Sequence, residues 1–249
     1  MACHFGRSVP TPFILQEHRS KEDTHGNPLQ KGESDMNKEV GIEVEHLYKS
    51  FGKETVLTDV NLRIQPGKIF GVVGNNGSGK TVLMKCICGF LQPDKGKIQV
   101  NGQQVGKDCD FPDSMGLIIE TPGFIPNLSG FQNLKILAAL KGKIGRKEIK
   151  ESILRVGLDP TMRKPVSKYS LGMRQRLGIA QAIMEDPDVL ILDEPFNGLD
   201  KAGVAHMREL VKELKHQGKA ILLASHNAQD IEELCDDVHE MEEKWNENT

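Results

Sequence analysis

Eight consecutive residues, Gly74-Asn75-Asn76-Gly77-Ser78-Gly79-Lys80-Thr81, have the types and spacing to hold a polyphosphate. They fit G-x-x-x-x-G-K-[ST], the P-loop pattern, between an apolar run Ile69-Phe70-Gly71-Val72-Val73 and a second one, Val82-Leu83-Met84. Strand, glycine loop, helix is the context in which this pattern does chemistry. Glycines let successive backbone N–H groups turn inward as an anion nest, and the helix N-terminus adds its positive end. Lys80 has the reach for the β- and γ-phosphates, and the Thr81 hydroxyl is a ligand for Mg²⁺. A plain glycine turn is the competing reading, and the Lys-Thr pair with apolar flanks argues against it.

A second cluster lies downstream. Leu190-Ile191-Leu192 runs into Asp193-Glu194-Pro195, so a buried strand ends in two carboxylates, at the place where open α/β sheets bind ligands. One carboxylate can hold the Mg²⁺ shell while its neighbour orients an attacking water. His226 follows the next apolar run, in Ala224-Ser225-His226-Asn227, where strand order brings it to the same pocket. Ser170, in Tyr169-Ser170-Leu171-Gly172-Met173-Arg174-Gln175, is a good N-cap for a helix whose own N–H groups are open to an anion.

These groups need a scaffold. Ile42-Glu43-Val44-Glu45 and Asn61-Leu62-Arg63-Ile64 alternate as half-exposed strands, and Gly96 to Val100 enters a hairpin at Asn101-Gly102. Val189 to Leu192 and Ala220 to Ala224 are continuous apolar runs, which read as parallel strands buried on both faces. A helix from about Lys201 to Gln217 connects them, and residues 129 to 156 read as an inserted helical segment broken at Gly142 and Gly145. The expected fold is therefore α/β: a P-loop core, an antiparallel β subdomain and an inserted helical subdomain over about 121–184, within a domain of residues 39–244. Residues 1–38 are polar and aperiodic and read as a disordered extension or a start assigned too early.

Composition narrows the class. The 249 residues carry a net charge of −3, which gives no reason to expect nucleic acid as a partner. No apolar stretch is long enough to span a bilayer. The five cysteines are scattered and read as free thiols of a reducing compartment.

Taken in order, P-loop, Ser170 segment, double carboxylate and histidine closely resemble the ATP-binding subunits of ABC transporters, over about residues 41 to 241. The resemblance implies that Phe51 stacks on adenine, that residues 74 to 81 (Gly74, Asn75, Asn76, Gly77, Ser78, Gly79, Lys80 and Thr81) are Walker A, and that Asp193 is the Walker B carboxylate beside a catalytic Glu194. It makes Ser170-Leu171-Gly172-Met173 the signature, Asn197 to Asp200 the D-loop and His226 the switch histidine. It also implies a head-to-tail homodimer in which Ser170, Gly172 and Asp200 serve the nucleotide of the second subunit. An integral membrane permease would be the partner, with this chain peripheral on the cytoplasmic face. A soluble ATPase without a permease, regulatory or acting in translation or on DNA, is the alternative; such proteins usually carry two cassettes or a long coiled coil.

Two departures point to a branch. The usual Ser-Gly-Gly-Gln is Ser170-Leu171-Gly172-Met173, and the usual glutamine after the strand at 115–119 is Glu120. With the run Thr121 to Gly130 these resemble the bacitracin and lantibiotic self-protection systems, which expel peptide antibiotics. Glu120 is then expected to join Thr81 and Asp193 around Mg²⁺, adding a full negative charge to the site.

Overall fold

The structure is a computed structural model that describes residues 41–120 and 122–241. The proposed extension at 1–38 lies outside the described residues, as do the two residues that would open the 39–244 domain and the three that would close it. The chain begins with β1 (Ile42–Phe51) and β2 (Glu54–Ile64), an antiparallel pair, then β3 (Ile69–Val73), α1 (Lys80–Ile87), β4 (Lys95–Val100) and the short β5 (Gln103–Gln104). β6 (Met115–Ile118) leads to the helices α2 (Gly130–Lys141), α3 (Arg146–Arg155) and α4 (Leu171–Ile183). The last third alternates β7 (Val189–Asp193), α5 (Lys201–His216), β8 (Ala220–Ala224), α6 (Ala228–Leu234) and β9 (Asp237–Glu240).

Two sheets result. An antiparallel sheet has the order β2-β1-β4-β5, and a parallel sheet has the order β6-β7-β8-β3-β9. Asn101 and Gly102 both have positive φ (49° and 78°), the geometry of a two-residue hairpin turn between β4 and β5. Every residue of β7 and β8 is buried, as their unbroken apolar runs require.

The period of two along a strand sorts these residues between two cores. Leu190, Leu192, Ile221 and Leu223 face a core shared with the helical subdomain and α5. Val189, Ile191, Ala220, Leu222 and Ala224 face the other, shared with α1 and the antiparallel sheet. α5 meets its core with Met207, Leu210, Val211 and Leu214, a spacing that gives one apolar stripe. Each such side chain contributes about 1.5–3 kcal/mol of burial. Gly116 lets β6 approach α4: a Cβ there would stand 1.9 Å from the Ala182 carbonyl oxygen. α2 starts with a capping box, Ser129 accepting from the Gln132 N–H while Gln132 reaches back to the Ser129 N–H.

The helix that carries the P-loop lysine is held by the second core. Leu83, Met84, Cys86, Ile87 and Cys88 are all within 1% of full burial. Burial pushes the Cys86 thiol up to about 11 and the Cys88 thiol up to about 12 from an ordinary 9.0. Above pH 9 an unfolded chain therefore holds fewer protons on these thiols than the folded one, so stability is full below pH 9 and is lost as pH rises toward the folded values. The urea midpoint should fall between pH 9 and pH 11, and the fall should be shallower in a Cys86→Ala/Cys88→Ala variant; equal slopes would mean that other groups set the alkaline limit.

Candidate functional site

All strands of the larger sheet are parallel, so their carboxyl ends share one edge, and four neighbours deliver the chemistry there. β3 runs into the glycine loop, β8 into His226, β7 ends at Asp193 and β6 is followed by Ile119 and Glu120. A cleft of about 640 Å³ opens at this edge, lined by Phe51, Gly77, Lys80, Thr81, Glu120, Asp193 and Glu194 among others. β8 stands between β3 and β7, which brings the histidine strand next to both the loop and the carboxylates.

The loop is shaped for an anion. Gly77 and Gly79 have φ of 89° and 100°, a region that L side chains rarely enter. Gly79 is the N-cap of α1, and no side chain caps that helix, so its first-turn N–H groups are the donors a phosphate would need. Lys80 is 8% exposed, and its ammonium donates to the carbonyl oxygens of Gly74 (2.5 Å) and Asn75 (2.9 Å). The Ser78 hydroxyl is buried with no hydrogen-bond partner, the one such side-chain atom among the described residues. Inward glycines, an uncapped helix start, a buried ammonium and an orphan hydroxyl fit the phosphates of a nucleotide.

The acidic side is equally ordered. The Thr81 hydroxyl donates to Asp193 Oδ2 at 2.9 Å, which joins the end of the loop to the end of β7. One hydroxyl and one carboxylate already in contact suit Mg²⁺, which binds few protein groups and completes its shell with water and phosphate. Accordingly, no cluster of three His, Cys, Asp or Glu fit for a metal occurs among the described residues. Glu194 has φ 48°, strained for a non-glycine, and is held there by hydrogen bonds through its N–H, its carbonyl and its carboxylate. Its N–H donates to the Ala224 carbonyl (2.9 Å), its carbonyl accepts from Gln175 Nε2 (3.1 Å), and His226 Nδ1 donates to its Oε2 (2.7 Å). The ring thus carries its proton on Nδ1, with two thirds of the side chain exposed.

The remaining expected residues fall in three places. Phe51, half exposed, lines the cleft with Lys49 Nζ 5.5 Å from its ring centre. Ser170 caps α4 by accepting from the Met173 N–H, and neither Ser170 nor Gly172 lines this cleft. Asp200 caps α5 by accepting from the Gly203 N–H, and it lies 3.6 Å from Arg176. Glu120 does line the cleft, but its carboxylate accepts from Lys85 Nζ at 2.6 Å, while Asp193 takes the Thr81 hydroxyl. Lys85 and Gln175 went unnoticed in the sequence. The spacing of four between Thr81 and Lys85 is the signal that could have raised Lys85; nothing marks Gln175, whose partner is a main-chain carbonyl.

A P-loop at one strand end, with an aspartate, a glutamate and a histidine at its neighbours, defines a nucleoside triphosphatase of the P-loop class. Within that class the ABC transporter family model matches residues 57–197. The chain is 46% identical over 200 residues to the uncharacterized ABC transporter ATP-binding protein YybJ of Bacillus subtilis, spanning 80% of this chain and 92% of that protein. It is 43% identical to the bacitracin transport ATP-binding protein BcrA of Enterococcus faecalis (81% of this chain, 66% of that protein). It is 37% identical to the lantibiotic transport ATP-binding protein SrtF of Streptococcus pyogenes (78% and 84%). The fold matches a solved dimeric bacterial ABC transporter cassette with TM-score 0.73 at 22% identity, covering 80% of this chain and 94% of that one. The chain belongs to the ATP-binding, ATP-hydrolysing subunits of ABC transporters.

The loop geometry makes a sharp demand on Gly79. A Cβ there would meet Val56 Cγ1 at 3.0 Å and would have to accept φ of 100°. By leaving this conformation the loop escapes about 1–2 kcal/mol of backbone strain, so Gly79→Ala should weaken ATP binding by about tenfold or more and lower the thermal midpoint by no more than a few degrees. Calorimetric titration with ATP checks it, and unaltered affinity would mean that the loop is not held in this conformation.

Proposed function

We propose that this chain is the motor of a bacterial peptide-antibiotic exporter: a homodimer, peripheral on the cytoplasmic face of the membrane, that drives a separate integral permease. The observation that carries the motor reading is the convergence of Lys80, the Thr81–Asp193 bond and the Glu194–His226 bond at one sheet edge. The substrate class rests on the likeness to the bacitracin and lantibiotic transport proteins, strengthened by Glu120 and the Ser170-Leu171-Gly172-Met173 signature. The permease reading is compatible with the helices themselves, none of which, among the described residues, is long and apolar enough to cross a membrane. The dimer reading is supported by the dimeric cassette of the same fold and by Ser170 and Gly172, neither of which lines its own chain's cleft although Leu171 between them does.

In this reading the loop N–H groups and Lys80 hold the β- and γ-phosphates and offset charge as the terminal phosphoryl group departs. Thr81 and Asp193 hold Mg²⁺, which when bound neutralises the phosphate oxygens, and Glu120 contributes its carboxylate to the same side. Glu194 accepts a hydrogen bond from the attacking water and polarises it. His226, fixed through Nδ1, orients Glu194 and the water. Phe51 offers its face to the base, and Ser170, Gly172 and Asp200 serve the nucleotide of the other subunit. Water adds to the γ-phosphorus as the bond to the β-phosphate oxygen breaks, giving ADP and inorganic phosphate.

Glu194→Gln should lower ATP turnover by about 100-fold or more while ATP still binds, since it removes the negative charge that polarises the water and leaves the loop intact. Steady-state phosphate release beside nucleotide titration tests this, and an unimpaired rate would remove Glu194 from the mechanism. Glu120→Gln should change both the ATPase rate and the resistance of host cells to a bacitracin- or lantibiotic-like peptide; if neither changes, the glutamate has no special part in coupling.

A further inference from the structure

The cleft brings three carboxylates to a place where a polyphosphate must enter, and each is tied to a different partner. Asp193 accepts from the Thr81 hydroxyl, Glu194 from His226, and Glu120 from the Lys85 ammonium. The last pair alone joins a carboxylate of the cleft wall to a permanently charged cation. Thr81 and Lys85 are four residues apart on α1, so one helix face presents a hydroxyl to Asp193 and, a turn later, an ammonium to Glu120. Both members are accessible: the Glu120 side chain is 63% exposed and that of Lys85 31%. Glu120 itself sits at φ 60°, a costly backbone for a glutamate, which fixes the direction in which its side chain leaves the chain.

We propose that Lys85 is the resting counter-ion of Glu120: it neutralises that carboxylate before nucleotide arrives and thereby sets how strongly the cleft repels phosphate in the absence of a divalent cation. The inference rests on reading this cleft as the nucleotide site and adds a positioning residue to it. Lys85 is separate from the phosphate-binding Lys80, whose ammonium is turned into the loop carbonyls. A glutamate at this point without a counter-ion would oppose every incoming nucleotide. With Lys85 beside it, the carboxylate's charge is balanced at rest and it is free to exchange partners when a cation comes with the phosphates. Because the pair is partly exposed, the effect is moderate.

The test is calorimetric titration of the full chain with ATP in excess EDTA and again in excess MgCl₂, with the thermal midpoint of each variant measured alongside. Lys85→Met should raise the metal-free Kd by about three- to tenfold, the size of one solvent-screened charge near the cleft. Lys85→Arg should restore it. Glu120→Gln should bind metal-free ATP at least as well as the wild type, and adding Lys85→Met to Glu120→Gln should cost less than Lys85→Met does alone, because no carboxylate is then released toward the phosphates. If Lys85→Met weakens binding equally with and without Glu120, Lys85 acts on the phosphates directly and the inference falls. It falls also if Lys85→Met binds metal-free ATP as the wild type does. Failure of the wild type to bind ATP even with MgCl₂ would overturn the nucleotide-site reading itself, a result distinct from either.

Discussion

The parallel sheet, buried on both faces, is the constraint from which the rest follows. Strands that run the same way must return through helices, and those helices cover the faces and leave only the strand ends open. Every group with chemistry to offer therefore arrives at one edge, although glycine loop, carboxylates and histidine are spread from residue 74 to residue 226. The two cores tie this edge together. α1 is anchored among apolar side chains, so Lys80 and Thr81 at its start have a fixed origin, and β7, which ends in Asp193, shares that same core.

Behind the histidine lies a buried polar network that the apolar cores cannot supply. Arg208 on α5 donates from Nε to Asp230 on α6 at 2.8 Å and also meets Glu233 at 3.0 Å, with Arg208 and Asp230 both almost fully buried. The other Asp230 oxygen accepts from the Ser225 hydroxyl at 2.7 Å, and Ser225 Oγ in turn accepts from the Asn227 N–H at 3.1 Å. Residues 225 and 227 flank His226, so the chain on either side of the ring is bonded to a charge pair that would be costly to break. An exposed ring at the end of a strand has few contacts of its own; here its direction comes from its neighbours and from Glu194.

Much of this was legible in the sequence because the signals were local. The P-loop, the apolar runs of β7 and β8, the Asn101-Gly102 turn and the N-cap Ser170 each depend on residues within a few positions of one another. The short elements were not legible. β9 is Asp237–Glu240, with no apolar alternation, and its place beside β3 comes from the pairing Phe70 to Asp237 through Val73 to Glu240. α6 has only seven residues, too few to show a period. The contacts of Gln175 with a main-chain carbonyl and of Lys85 with Glu120 join segments far apart, and although the spacing from Thr81 marks Lys85, nothing in it names Glu120 as the partner. Glu120 was singled out by its type, yet only the coordinates reveal that a cation already holds it.

The signature departure gains a physical meaning from the same packing. A Cβ on Gly198 would lie 2.5 Å from Leu171 Cγ and Cδ2, and one on Gly172 would lie 2.8 Å from the Gly198 carbonyl oxygen. The start of α4 and the turn before Asp200 therefore rest on each other within one chain, with the Leu171 side chain closed over Gly198. Glycine, the usual residue at position 171, would leave that surface bare. Leucine there packs the signature against the segment that ends at the α5 cap, so the altered signature is accounted for by a contact inside the subunit.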